Sequence, residues 1–351
     1  MSRLNYGYST GSCAAGAAKA AAMLLGGRTL GRSIDIPLPD GTRLDLPLAF
    51  AEALGDSARA GVRKDGGDDP DITHGVIVIS SVQFEAGTGV RFEAGDGVGT
   101  VTLPGLSVPP GEPAINPGPR RMIEAAIREV TDRGVRVAVS IPGGSELAAK
   151  TFNPKLGIAG GLSILGTTGR VRPFSLEAMR EALCCGLDVA VASGFREPVL
   201  VPGNVGERAA RRHLRVAEKQ VVDVGNEWGA LLDRARHHGV RRLLALGHPG
   251  KLAKLPLGDW DTHSSRSQTA LPSVAGLAHR LSGIDFSVLP TVEGIFMALA
   301  LEQRRSLGCD LARRIQSSIS TRLGEGSDVA VALVNMAGDW LGEAGDLSAW
   351  K

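Results

Sequence analysis

Aromatic side chains are scarce, at 4% of 351 residues, and neither sign of charge dominates, with 39 basic residues against 37 acidic ones. The first shortage removes the stacking platforms that hold single-stranded nucleic acid. The second removes any global field that would gather a nucleic-acid polymer. A small polyanion is still admissible, because a local cluster of Arg and Lys suffices to hold it. Cysteine is rare as well. Cys13, Cys184, Cys185 and Cys309 form no CxxC pair and no zinc spacing, and adjacent Cys184 and Cys185 do not suggest a disulfide framework. They read as small buried hydrophobes in a reducing compartment. Long apolar runs are also missing. Lys19 interrupts Ala14–Leu25 and leaves only Ala20–Gly27 uncharged beyond it, where a secretory core needs roughly 7–15 unbroken apolar residues. Nothing nears the ~18 apolar residues of a membrane span. The expectation is a cytoplasmic protein with no bound metal and no membrane or nucleic-acid partner; self-association into a homo-oligomer is left open.

What is present is ample core and a change of texture part-way along. Hydrophobic residues make up 43% of the chain, enough for a normal interior, and the length suits two domains or one with an insertion. Thr10 or Ser12 can cap a helix over Ala14–Leu25 that Gly26-Gly27 ends. Ser33–Leu38 and Thr42–Leu48 alternate around Pro39-Asp40-Gly41 and read as a hairpin. Val76–Phe84 and Gly89–Phe92 read as further strands. Five prolines between Pro109 and Pro119 allow no regular structure, Arg120–Thr131 reads as a helix, and Val135–Ile141 as a strand. From about Glu197 strands and helices alternate: Pro198–Val201, Glu207–Leu214, Gln220–Val224, Glu227–His238, Arg242–Leu246, then Ser264–Leu281 as a helix. That order implies parallel strands with right-handed crossovers. Asp328–Asn335 and Asp339–Glu343 form a candidate hairpin. The fold class expected is therefore α+β with an additional α/β, parallel-sheet, Rossmann-like domain. The expected boundaries are 1–193 for the α+β part, completed by 286–351, and 194–285 for the α/β part.

Four constellations can carry chemistry. Val199-Leu-Val-Pro-Gly203-Asn204-Val-Gly206 is a strand, a glycine loop and a helix start, where backbone N–H groups can face a polar ligand. Asp223, twenty residues after Gly203, falls near the end of the next strand, where an acid suits ribose hydroxyls. The full dinucleotide fingerprint is absent, so nicotinamide and adenosyl ligands both fit, as does an ordinary turn. Gly247-His248-Pro-Gly250-Lys251 follows another strand and can share a crevice with the first loop. Lys64-Asp-Gly-Gly-Asp-Asp69-Pro-Asp71-Ile-Thr-His74 holds four aspartates without the spacing of a calcium loop; a solvated turn is its plain alternative, as it is for Asp261-Thr-His263. Lastly, Arg63, Lys64, Arg120, Arg121, Lys155, Arg170 and Arg172 lie beside Gly- or Pro-rich loops, and Arg matches carboxylates bidentately.

Taken together and in order, these words resemble the CbiD family, the cobalt-precorrin-5B (C1)-methyltransferases. The likeness rests on Gly7-Tyr-Ser-Thr-Gly-Ser-Cys13, Lys64–Gly75, Gly97-Val-Gly-Thr-Val-Thr102, Gly111-Glu-Pro-Ala-Ile-Asn-Pro117 and Thr151-Phe-Asn-Pro-Lys-Leu-Gly157. It continues through Gly160–Pro173, Gly203–Gly206, Gly247–Lys254 and Asp261–Ser264, and departs at Pro249 and in Ser264-Ser265-Arg266. The resemblance implies a two-domain architecture and transfer of a methyl group from S-adenosylmethionine to C1 of a cobalt-containing tetrapyrrole. With S-adenosylmethionine so implied, the strand–glycine loop–helix order and the acid twenty residues on place it at Gly203, Asn204, Gly206, Asp223, Gly247, His248 and Gly250. Substrate carboxylates would then meet Arg120, Lys155, Arg172 and His263, and proton transfer would fall to Asp69, Asp71 or His74. A nicotinamide-dependent reductase of the same pathway and a non-catalytic tetrapyrrole carrier are the rival expectations.

Overall fold

The first helix is built from alanine, and the sheet it covers is built to receive it. In the computed structural model, which describes residues 4–351, the chain packs as two units, Met1–Leu176 and Glu177–Lys351. The first unit runs β1 (Gly7–Tyr8), α1 (Thr10–Leu25), β2 (Ser33–Pro37), β3 (Arg43–Leu54), β4 (Ser57–Arg63), β5 (Ile77–Glu85), β6 (Val90–Ala94) and β7 (Thr100–Val101). It goes on through α2 (Pro117–Arg128), β8 (Gly134–Ser140), α3 (Gly144–Ala148), β9 (Ile158–Ala159) and β10 (Arg170–Val171). Its main sheet has the order β2-β3-β4-β5-β8-β6, antiparallel except for the β8–β6 pair. Every residue of α1 from Thr10 to Ala22 is buried. Alanine favours the helix and lets it lie close: a Cβ on Gly16 would come 2.8 Å from Leu46 Cδ1. The strand beneath follows the same logic, with Ala58, Ala60 and Val62 of β4 fully buried. Lys19, the one charge on this helix, reaches the Asp35 carbonyl at 2.6 Å and Glu129 at 2.5 Å.

Two local expectations shift here. The cap of α1 is Ser9, whose hydroxyl accepts the Ser12 N–H at 3.1 Å, not Thr10 or Ser12. The helix α2 begins at Pro117, inside the stretch expected to be irregular, because a proline at the first helical position has no N–H to leave unpaired. The expected hairpin forms with Ile34 opposite Leu46.

The second unit holds α4 (Leu176–Ala192, starting at the boundary), β11 (Val199–Val201), α5 (Asn204–His213), β12 (Val221–Asp223), α6 (Trp228–His237), β13 (Arg242–Gly247) and α7 (Pro249–Leu252). Then follow α8 (Leu271–Ser282), α9 (Val292–Ala298), α10 (Leu301–Leu323), β14 (Asp328–Val334) and β15 (Trp340–Ala344). The sheet order is β12-β11-β13-β14-β15, parallel except for β15. Leu200, Leu243, Ala245 and Val331 face a core shared with α4, α6, α8 and α10, while Val199, Val201, Leu244 and Leu246 face α5 and Trp350.

This corrects the expected boundaries. Residues 286–351 do not complete the first unit: β14 pairs with β13 from Arg242↔Asp328 to Gly247↔Leu333 and belongs to the parallel sheet. A strand buried at every position but its first, as β14 is, needs cover on both faces, and an antiparallel β15 then closes that edge. The division falls at 176/177 rather than 193/194, since Leu183 and Leu187 of α4 pack into the second core. The helix expected over Ser264–Leu281 starts only at Leu271, and Ser264–Ala270 is loop.

Candidate functional site

The chain leaves β11 to one side for β12 and returns on the other side as β13. In an open parallel sheet such a reversal leaves a crevice outside the carboxyl ends of the strands, where ligands gather. The two glycine loops singled out in the sequence flank that reversal. Gly203 has φ +88° with open space where a side chain would go, so backbone alone borders the crevice there. Gly206 has the opposite reason to be glycine: a Cβ would sit 2.7 Å from Val201 Cβ and 2.8 Å from the Leu246 carbonyl, so α5 could not approach the sheet. Asn204 is exposed on the first turn of α5. Asp223 stands beside Val201 in register at the end of β12, with Oδ1 accepting the Gly225 N–H at 2.8 Å. Lys251, half-buried, donates to the Gly225 carbonyl at 3.4 Å. Because it starts from the loop after β13 and reaches the loop after β12, it crosses the end of β11. Burial lowers the Lys251 pKa, Asp223 opposes the shift, and Lys254 adds to it.

Beyond Gly247 the loop is tightly specified. A Cβ on Gly247 would lie 2.7 Å from Pro202 Cδ, and one on Gly250 would lie 2.9 Å from His248 Nδ1. His248 Nδ1 accepts the Gly250 N–H at 3.0 Å, which places the ring proton on Nε2, 2.9 Å from Glu293 Oε2. The other oxygen of Glu293 accepts the Met336 N–H at 3.2 Å, so this carboxylate ties the loops after β13 and β14 together. A cavity of about 400 Å³ opens here, lined by His248, Gly250, Lys254, Ser267, Thr269, Glu293 and Met336 among others. That size suits a small-molecule site. Lys254 is only 7% exposed and donates to the Thr262 carbonyl at 3.0 Å and to Ser267 Oγ at 2.7 Å. His263 sits in its own turn, its N–H on Asp261 at 3.0 Å and its Nδ1 2.8 Å from Ser265 Oγ.

In the first unit, the acidic loop is less a solvated turn than a braced one. Asp71 pairs with buried Lys64 at 2.5 Å and accepts from Thr73. Burial works to raise the Asp71 pKa, but those bonds prevail and hold it below the usual carboxylate range. His74 Nδ1 accepts the Gly66 N–H at 3.0 Å, so the Nε2 proton of this exposed ring points outward. Asp69 Oδ1 accepts the Phe174 N–H at 2.8 Å. Phe174 has φ +56°, the one positive φ outside glycine among the described residues, and the residue is 65% exposed. The N-terminal segment joins the group through the bridge Tyr6↔Gly67 and the pairing Tyr8↔Arg170. A Cβ on Gly7 would collide with the Asp65 carbonyl at 2.3 Å, so these segments meet only because of glycine. Exposed Tyr6, Ile72, Leu165 and Phe174 all belong to these segments. Of the expected substrate residues, Arg172 is exposed with no hydrogen bond or ion pair among the described residues. Lys155 is exposed in the turn before β9. Arg120 is already committed to Glu112 at 3.1 Å, to the Ile115 and Pro113 carbonyls, and over the Phe92 ring. Cys13 is fully buried, and that burial pushes its thiol pKa up to about 12, with Lys64 only partly opposing.

The CbiD family model matches residues 1–173, almost all of the first unit. A Syntrophotalea carbinolica cobalt-precorrin-5B C(1)-methyltransferase is 57% identical over 100% of both chains. The chain belongs to the CbiD family. A relative of the same name from Desulfitobacterium hafniense is 46% identical over 86% of this chain and 79% of its own. A solved cobalamin biosynthesis protein (CbiD) from Archaeoglobus fulgidus is 29% identical, covering 75% of this chain and 83% of that one, with a TM-score of 0.40.

Within this CbiD chain the structure brings Gly203, Asn204, Gly206, Asp223, Gly247, His248 and Gly250 to one edge of one sheet. It brings Asp69, Asp71 and His74 into one braced loop, with Asp69 joined to the segment that carries Arg172. Arg120 is turned to bracing its own loop. Sequence reasoning named Lys251 in its loop but gave it no role, and it assigned none to Lys254, Ser267, Glu293 or Phe174. The lysines stand in the family word Gly247–Lys254, but nothing in the word reveals burial. Phe174 carries no sequence signal, because a strained φ is invisible in residue types.

Proposed function

We propose that this chain transfers a methyl group from S-adenosylmethionine to ring carbon C1 of cobalt-precorrin-5B, giving cobalt-precorrin-6A on the route to cobalamin. The observation that carries this reading is the 57% identity over the whole length of a relative that bears that name. The C-terminal unit serves in it as a Rossmann-like, nucleoside-binding domain, and the N-terminal unit holds the macrocycle.

The residues present fit an adenosyl amino acid. Open space over Gly203 admits a ligand against backbone. Asp223 keeps an oxygen beyond the one given to Gly225, which suits a ribose hydroxyl. The cavity beside His248 is of ligand size. When bound, S-adenosylmethionine supplies an already activated methyl group, so the protein needs no nucleophile of its own. Its work is orientation: holding the reacting carbon and the methyl within about 3–3.5 Å and in line, with water excluded. The Glu293–His248 pair fixes the loop for that task. On the macrocycle side, Phe174 and Tyr6 offer flat apolar surface, and Arg172 and Lys155 meet acetate and propionate groups.

The three proton-transfer candidates divide by their bonds. Asp71 is committed to buried Lys64 and serves the loop. Asp69 acts by positioning Phe174. His74, with Nδ1 occupied and Nε2 facing outward, is a hydrogen-bond donor to substrate. Isothermal titration with S-adenosylhomocysteine, NADPH and a corrinoid separates this reading from a reductase or a carrier. Binding of S-adenosylhomocysteine and the corrinoid, without NADPH, is expected; binding of NADPH alone, or of the corrinoid alone, would overturn it.

A further inference from the structure

Lys254 carries its charge where a charge is expensive. The residue is 7% exposed, and its ammonium has only two neutral partners, the Thr262 carbonyl at 3.0 Å and Ser267 Oγ at 2.7 Å. Among the described residues it forms no ion pair, whereas the other buried lysines do: Lys19 with Glu129 and Lys64 with Asp71. An ammonium has three donors, so one remains over. Buried charges are paired, because desolvation costs several kcal/mol per ion unless a counter-charge offsets it. The one acid that also lines the cavity, Glu293, is turned to His248 and the Met336 amide. Lys251 nearby adds positive potential, since the two ammonium groups act on one another. The cavity against which Lys254 stands therefore has a buried cation, room for a ligand, and one carboxylate, Glu293, that is bonded elsewhere and forms no ion pair with that cation.

We propose that Lys254 is a ligand-binding residue, the counter-charge for a carboxylate that enters the cavity with the bound small molecule. This rests on the reaction proposed above. Two sources offer that chemistry, the free α-carboxylate of the methionine portion of S-adenosylmethionine and a propionate or acetate of the macrocycle. The cavity begins at the loop that borders the crevice by Gly203, and this favours the methionine carboxylate. Ser267 and Thr262 are positioning partners that hold the ammonium in place.

The test is calorimetric titration of the full chain, wild type and Lys254→Met, with S-adenosylhomocysteine and with 5′-methylthioadenosine, which keeps the nucleoside but lacks the amino-acid end. Lys254→Met is expected to weaken S-adenosylhomocysteine by about 10- to 100-fold, the range of one charge-assisted hydrogen bond, and to leave 5′-methylthioadenosine unchanged. The apoprotein's melting temperature should hold or rise, because an uncompensated charge has been removed; a purely structural lysine would lower it and leave both affinities alone. If S-adenosylhomocysteine is unaffected while the KM for the corrinoid rises, the carboxylate comes from the macrocycle, and the counter-charge stands with its source reassigned. If neither ligand responds, the proposal is overturned while the proposed function survives. If wild type binds no S-adenosylhomocysteine, the proposed function falls and this inference with it. Should Lys254→Met fail to fold, Lys254→Gln, which keeps a donor for Thr262, gives the same comparison.

Discussion

Replacing Asp69 by Asn and by Ala separates two roles that a sequence cannot tell apart. Its Oδ1 accepts the Phe174 N–H at 2.8 Å, and Phe174 is held at φ +56°. A charge-assisted bond of this kind is worth about 1.5–3 kcal/mol, and the lower end applies to a half-exposed carboxylate. The left-handed backbone at a bulky residue costs about 1–2 kcal/mol. In Asp69→Ala both terms vanish together, so the unfolding free energy changes by no more than about 1 kcal/mol. The conformation of Phe174 is what is lost. If that ring seats the macrocycle, turnover falls by about 10- to 100-fold, the effect of a misplaced substrate. Asn keeps an acceptor oxygen in the same place, so Asp69→Asn should stay within about 3-fold of wild type. Steady-state methyl transfer measures both, with urea unfolding to confirm the small stability change. Phe174→Gly, which tolerates the same φ without the ring, should match Asp69→Ala. An Asp69→Asn enzyme slowed by about 10²–10⁴-fold would refute the reasoning and make Asp69 a general base.

Other consequences follow from single contacts. Asp223→Ala should weaken S-adenosylhomocysteine by about 10- to 100-fold in calorimetry, and unchanged affinity would remove it from the site. Gly206→Val forces atoms against Val201 and the Leu246 carbonyl, so urea unfolding should report a loss of about 1–3 kcal/mol or more; a wild-type midpoint would show that α5 is free to shift. Glu129, bonded first by Arg43 and then by Lys19, has its pKa lowered from 4.5 to about 2. The folded value is depressed, so the stabilisation is present above pH ~4.5 and is lost as pH falls towards ~2. The full shift corresponds to about 3 kcal/mol, and solvent at this exposed carboxylate cuts it to about 1–2 kcal/mol. Glu129→Gln should flatten the acid limb of stability against pH by that amount; an unchanged limb would contradict the assignment.

What the sequence disclosed and what it withheld both have physical causes. The alternation of apolar strands with helices from Glu197 onward made the parallel sheet legible, and the glycine loops at 203–206 and 247–250 fell at its switch point because glycine is demanded there by contact and φ. Strand β4 was not foreseen, since Ser57–Arg63 has small residues where strands usually show β-branched ones. The reason is α1, whose packing needs alanine beneath it, and that is a tertiary fact. The boundary was misplaced for a similar reason, because β14 reads equally well as a hairpin strand or as the fourth parallel strand of a sheet begun well over a hundred residues earlier. Charge pairing was the least legible. Arg120 and Asp71 looked available but are committed to Glu112 and Lys64, while Lys254, present in the sequence only as the end of a family word, is a buried cation with no ion pair among the described residues.

The central claim is most directly tested by incubating the purified chain with cobalt-precorrin-5B and S-adenosylmethionine carrying an isotopically labelled methyl, then locating the label by NMR. Label on ring carbon C1, with S-adenosylhomocysteine formed in equal amount, is the result the account predicts. Label at any other ring position, or no transfer by a folded protein that binds both ligands, would contradict it.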